Sequence, residues 1–325
     1  MQFAAHLGDI VLLEPRVPQR PKPDQPPPPP EPPISLTVKL IDGTAFSHAV
    51  IVEEGPPDPW RVLSANEETG DLRSGVNSIA LATLTANRGS QVLHPNMSDA
   101  ERIDALHLAT SLCEYRDDVP GGGNLPDTSD FAWDQLFLSG IAGVTRRMHP
   151  DSPGRGRLWR TLHGLSYALE EVVPWPRRRW DCCEFVVRVF EESGHSLHVV
   201  ESDPEEHNAG AVMGDVLRAW WGYIDYVAGH PREFLEGLSP DDEAFADQIV
   251  DAASNVDSVG DLIGDVRRMV HEMKDIASRV GAAWNSIDQA PAPKPGDRVW
   301  PPFASPRLLI AACTPEGHFP PGVST

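Results

Sequence analysis

The chain has 325 residues, 40% of them hydrophobic, and 27 Lys and Arg stand against 48 Asp and Glu for a formal net charge of -21. That length suits one large domain or two small ones around an ordinary buried core. The acidic excess would repel nucleic acid and anionic membrane surfaces over most of the exterior, so a polyanion partner is excluded.

In chain order, Gly8-Asp9-Ile10-Val11-Leu12-Leu13-Glu14 is a short apolar run opened by a glycine and reads as a strand. Pro15 ends it. From Arg16 to Pro33 proline dominates, with an unbroken run from Pro26 to Pro30, which predicts an exposed polyproline II insertion over 16–34. Ser35 to Leu40 fits either a strand or a short helix closed by Asp42-Gly43. Phe46 to Val52, Trp60 to Ala65 and Ser78 to Thr83 read as further strands, and their close spacing predicts a small antiparallel sheet.

Ser98-Asp99-Ala100-Glu101 is a capping box that starts a helix carrying Ile103, Leu106 and Ala109 on one face. Apolar recurrence predicts helices over about 128–147, 157–172 and 182–194, and one after Gly210 carrying Val212, Val216 and Trp220. Late in the chain Ile249, Val256, Ile263, Val270 and Ala277 recur every seven residues, with Phe245, Ala252, Val259, Val266, Met273 and Val280 at the complementary positions. This heptad seam predicts a long helix over 240–289 that lies on its own domain or pairs with another chain, leaving a homo-oligomer or a protein partner through 245–280 open. The division expected is a domain over 1–235, the heptad helix over 240–289 and an irregular proline-rich tail over 290–325.

The start at Met1 has no basic region followed by a long apolar run, and no stretch reaches the roughly 18 apolar residues that mark a membrane span. A soluble, cytoplasmic protein without membrane insertion is expected, with delivery as an effector left open. The 4 cysteines comprise adjacent Cys182 and Cys183 and the distant Cys113 and Cys313, which is not a disulfide framework and suits a reducing compartment. No second Cys/His pair completes a zinc ligand set, and Gly121-Gly122-Gly123 lacks the Gly-Lys-Ser/Thr of a phosphate loop, so neither a metal nor a cofactor is expected.

Reactive side chains concentrate in two places, around His48 and around Cys182. A cysteine at a helix start faces unpaired amides and the positive end of the helix dipole, which favour its thiolate. A histidine on a strand can hold the thiol proton and return it to a leaving group. Three stretches, Gly8-Asp9-Ile10-Val11, Ser47-His48-Ala49-Val50 and Trp180-Asp181-Cys182-Cys183-Glu184-Phe185-Val186, carry a resemblance to the circularly permuted, YiiX-like bacterial branch of the NlpC/P60 papain-like thiol hydrolases.

The resemblance spans roughly residues 7–195, with His preceding Cys. It implies an α+β papain-like core, a small antiparallel sheet packed on helices, with Cys182 as nucleophile, His48 as base and the Cys182 amide in an oxyanion hole. Cys183 stands where serine is usual in the family and is read as packed or structural. Where the family places a polar orienter this chain has Ser64, with Asn66 or Glu67 as alternatives, and Glu184, Asp9 and Trp180 are candidate binding positions. The expected activity is cysteine-dependent cleavage of a peptide, amide or ester through an acyl-enzyme. The alternatives are a lipid acyltransferase and a non-catalytic scaffold built on a degenerate papain-like core.

Overall fold

The computed structural model describes residues 5–15, 33–55, 60–66, 74–85, 88–118, 129–167, 178–202, 204, 206–216, 218 and 293–319. Residues 16–32 of the proline-rich insertion, Glu67, Trp220 and the heptad segment therefore lie outside the described residues, while the last two residues of the insertion, 33 and 34, begin a helix rather than continuing a polyproline stretch.

The four expected strands form in order, and a fifth joins them. β1 (Ile10–Leu13) pairs antiparallel with β2 (His48–Glu54), and β2 with β3 (Arg61–Asn66). β3 pairs antiparallel with β4 (Gly75–Ala80), and β5 (Ser90–Pro95) lies on the other side of β1. Pleating sends alternate residues to opposite faces, and both faces are buried. Ile10, Leu12, Ala49, Ile51, Leu63 and Leu93 enter one apolar cluster, while Val11, Leu13, Val50, Val52, Val62 and Val92 enter another. That explains why these strands read as continuous apolar runs rather than as alternations.

The ambiguous segment after the proline run is a helix, α1 (Pro33–Asp42), closed where the Gly43 amide reaches the Lys39 carbonyl at 2.9 Å with a φ of 71°. α2 (Leu81–Thr85) follows β4 directly, so the run from Ser78 changes from strand to helix in mid-course. α3 (Asp99–Ser111) begins at the reciprocal cap of Ser98 and Glu101. α4 (Trp133–Arg146), α5 (Pro153–Tyr167) and α6 (Cys182–Glu192) occupy the remaining predicted helices, and residues 209–216 are helical. Three short strands had no sequence expectation. β6 (Tyr115–Arg116) runs parallel to β4, and β7 (Ser129–Phe131) pairs in parallel with β8 (Arg178–Trp180).

A further expectation is corrected. The C-terminal tail is not irregular over 301–319. After a 3-10 turn at Pro301–Phe303 it forms α7 (Pro306–Ala312) and then β9 (Cys313–Phe319), which pairs antiparallel with β5. Here the prolines are placed where they cost no hydrogen bond: Pro301 and Pro306 open helical turns. The described sheet is therefore seven-stranded and mostly antiparallel, in the order β6-β4-β3-β2-β1-β5-β9. Phe303, Leu308 and Leu309 are buried in the same cluster as Phe185, Val186 and Phe190 of α6, so the described part of the tail contributes to the core that carries the site. The result is a mixed α+β architecture with α6 and α3 packed on one face of the sheet.

Candidate functional site

β8 delivers the chain to the site. The Phe131↔Trp180 register and the hydrogen bond from the Ala132 amide to the Trp180 carbonyl, 3.0 Å, fix the strand immediately before α6. Asp181 then adopts an extended conformation as N-cap, and its Oδ1 accepts from the amides of Cys183 and Glu184, both at 2.8 Å. The first helical residue, Cys182, keeps its own amide out of that cap. Phe185, Val186, Val189 and Phe190 anchor the apolar face of α6, so the first turn is held by packing as well as by the cap.

His48 opens β2, opposite Leu13 of β1. Its Nε2 lies 2.7 Å from Ser64 Oγ on the neighbouring strand β3, and Ser64 Oγ donates to Asn66 Oδ1 at 3.1 Å. Ser64 spends its only proton on Asn66, so towards His48 it is the acceptor and the imidazole donates from Nε2. The opposite ring nitrogen, Nδ1, is left for Cys182, with which His48 is hydrogen-bonded. Cys182, His48, Ser64 and Asn66 thus stand in one line, drawn from α6 and two strands. Ser64, the position expected from sequence to meet the imidazole, is at hydrogen-bond distance from it, and Asn66 takes up the next hydrogen bond.

The electrostatics distinguish the adjacent thiols. The Cys182 thiol is held well below its ordinary value, first by the hydrogen bond from the Cys183 thiol, then by the charge and hydrogen bond of His48 and by the Ala49 amide, all against burial. Cys183 moves the other way, since it donates to Cys182 and is itself buried beside Asp181. The thiolate therefore belongs to Cys182, and Cys183 is its hydrogen-bond donor. The two distant thiols are inert by comparison: burial pushes Cys113 up to about 11 and Cys313 up to about 12.

The remaining candidates are distributed differently. Asp9 is not brought to the pair. It precedes Ile10, whose partner is Ile51, whereas His48 pairs at the opposite end of β1. Its carboxylate accepts from the His6 amide at 2.8 Å and from His94 Nδ1 at 2.9 Å, which ties the start of β1 to β5. Trp180 is buried with its ring 5.9 Å from that of Phe185, a wall of α6 rather than a contact of the cysteine. Glu184 is buried one turn into α6 with Oε1 3.5 Å from Arg188 Nε.

Cys182, Cys183 and Asp181 line a cleft with Ser47, Asp42 and Ser305, apolar walls coming from Ile41, Leu136 and Pro306. Its free volume is ≈ 30 Å³, room for one or two water-sized groups. Sequence reasoning missed Asp181. The signal was available, because an Asp immediately before an apolar helical run is an N-cap signature.

Two groups of side chains have metal-ligand character among the described residues: Asp181 with Cys182 and Cys183, and His6 with Asp9, His94 and Glu316. The second is already committed. Arg102 donates to His94 Nε2, so the proton of that ring sits on Nδ1 and points to Asp9, and Arg102 Nε stands 3.8 Å from the same carboxylate. A cation would have to displace both. Among the described residues no helix is long and apolar enough to cross a membrane. Comparison of the chain with family models, with curated proteins and with solved structures gave no match.

Proposed function

We propose that the protein is a cysteine-dependent hydrolase of the papain-like type, acting on an amide or ester through an acyl-enzyme. The observation that carries this reading is the hydrogen-bonded line from the Cys182 sulfur through His48 to Ser64 and Asn66. In this mechanism the Cys182 thiolate attacks the carbonyl carbon, and the developing oxyanion is met by the Cys182 amide, which the Asp181 cap leaves available. His48 gives its proton to the leaving amine or alcohol, and the acyl group stays on sulfur. Water, deprotonated by His48, then attacks the thioester and releases the acid. Ser64 keeps the imidazole oriented throughout, as a third group does in such triads.

Alkylation of the native full-length chain by iodoacetamide at near-neutral pH tests the reading. Cys182 is expected to label far faster than Cys113 and Cys313, and His48→Ala is expected to slow it. Equal labelling of the cysteines, or a rate indifferent to His48, would overturn the hydrolase and favour a non-catalytic scaffold.

A further inference from the structure

We infer that Asp181, Cys182 and Cys183 form a binding site for a thiophilic divalent cation such as Zn²⁺, which seals the cleft by capturing the nucleophilic sulfur. Three donor atoms, one from each residue, lie within 4.8 Å of one another. A tetrahedral zinc site with Zn–S bonds of ~2.3 Å spaces its donors by about 3.8 Å, within that limit.

The carboxylate supplies the independent pointer. Asp181 is 1% exposed, and while Oδ1 is occupied by the helix cap, Oδ2 has no hydrogen-bond partner. An orphaned oxygen on a buried carboxylate whose neighbours include two sulfurs is costly unless something positive meets it. Two sulfurs with one carboxylate oxygen select a soft or borderline metal over Mg²⁺ or Ca²⁺. The cleft gives access and leaves room for a water as fourth ligand.

Binding is a simple exchange. The cation joins the Cys182 thiolate, the Cys183 thiol loses its proton to solvent as its sulfur binds, and Asp181 Oδ2 completes three protein bonds as a carboxylate, any proton on it leaving to solvent as well. Cys183 thereby acquires a reason to be a second thiol beside the nucleophile, where a serine would hydrogen-bond equally well. The inhibitory consequence rests on the hydrolase reading, whereas the binding itself does not.

Cd²⁺ titrated into the reduced full-length protein reads the site through thiolate-to-cadmium charge-transfer absorption. One ion per chain is expected, with alkylation of Cys182 suppressed in proportion to occupancy. Cys183→Ser and Asp181→Asn are each expected to weaken binding by at least about tenfold, a loss that even outer-shell metal partners produce. Asn still caps a helix, so Asp181→Asn tests the ligand without removing the fold's own use of the residue. Absence of the band, a band unchanged by both substitutions, or protection that maps to Cys113 or Cys313 would overturn the site. Binding in a protein whose Cys182 labels no faster than the other thiols would retain the site and sink the hydrolase. Fast labelling without binding would do the reverse.

Discussion

At the scale of the residue, the site depends on which partner each polar atom has. Ser64 is a weak orienter taken alone, but its hydroxyl proton is committed to Asn66, which leaves a lone pair aimed at His48 Nε2. Ser64→Ala removes one hydrogen bond of about 1 kcal/mol, so a roughly fivefold slower alkylation of Cys182 is expected, well short of the loss in His48→Ala. An unchanged rate would show that the imidazole is held by its surroundings alone. Because the Cys182 thiol lies well below its ordinary value, its thiolate persists as pH falls below neutrality. Its labelling rate should therefore stay level from pH 8 towards 6, where an ordinary thiol slows about tenfold per unit. A rate that falls tenfold per unit over that range would contradict the lowered thiol. Both chemical members of the pair and the serine were legible in the sequence, since each sits in a recognisable local pattern. Asp181 was hidden behind its neighbours: a residue flanking two cysteines draws less notice than they do, although its position before the apolar run marks it as a cap.

At the scale of the element, two local devices hold the starts of α6 and β1. Asp181→Ala removes the cap of α6 and should cost about 1 kcal/mol, whereas Asp181→Asn should cost little. Urea denaturation of the two variants distinguishes a cap from a general effect of lost charge. The Gly8-Asp9 opening also has a structural cause. Gly8 has a φ of 80°, and a Cβ there would stand 2.9 Å from the Arg102 carbonyl oxygen and from the Arg102 Cβ. Gly8→Ala is therefore expected to destabilise by at least about 1–2 kcal/mol, the cost of the left-handed conformation before any clash is added. A neutral substitution would mean that the approach of α3 to β1 relaxes freely. Elements with strong apolar periodicity, such as β2 and α6, were readable because burial imposes the pattern. The three-residue strands β7 and β8 were not, since such short segments carry no period. β9, Cys313-Thr314-Pro315-Glu316-Gly317-His318-Phe319, contains both Pro and Gly and looks like a loop in isolation. Its place at the sheet edge is what tolerates them.

At the scale of the whole molecule, the buried thiols set an alkaline limit. Below about pH 8 Cys113 and Cys313 are largely neutral in both folded and unfolded chains and contribute little to the pH dependence. Above it the unfolded chain loses their protons, while the folded chain keeps them up to about 11 and about 12. The folded state then binds more protons, so stability falls as pH rises, by up to about 1.4 kcal/mol per unit and per thiol. The urea midpoint of the native chain is expected to drop more steeply between pH 9 and 11 than that of the Cys113→Ala/Cys313→Ala variant. Parallel curves would refute it. The overall α+β class was legible from the strands that precede the helices, but the extent of the core was not. Composition separates residues 290–325 from the rest, whereas packing unites 293–319 with α6.

β9 has a consequence for how the chain comes to its final form. Thr314 Oγ1 donates to Asn96 Oδ1 at 2.7 Å across 218 residues of sequence, and the whole flank of β5 waits for that late partner. As the polypeptide leaves the ribosome from its amino end, β5 emerges with one row of amides and carbonyls uncovered, an invitation to foreign strands. β9, made after the strand it covers, is thus a guard for the edge of β5, so nascent chains stalled before residue 313 should be the species that chaperones hold and that aggregates collect.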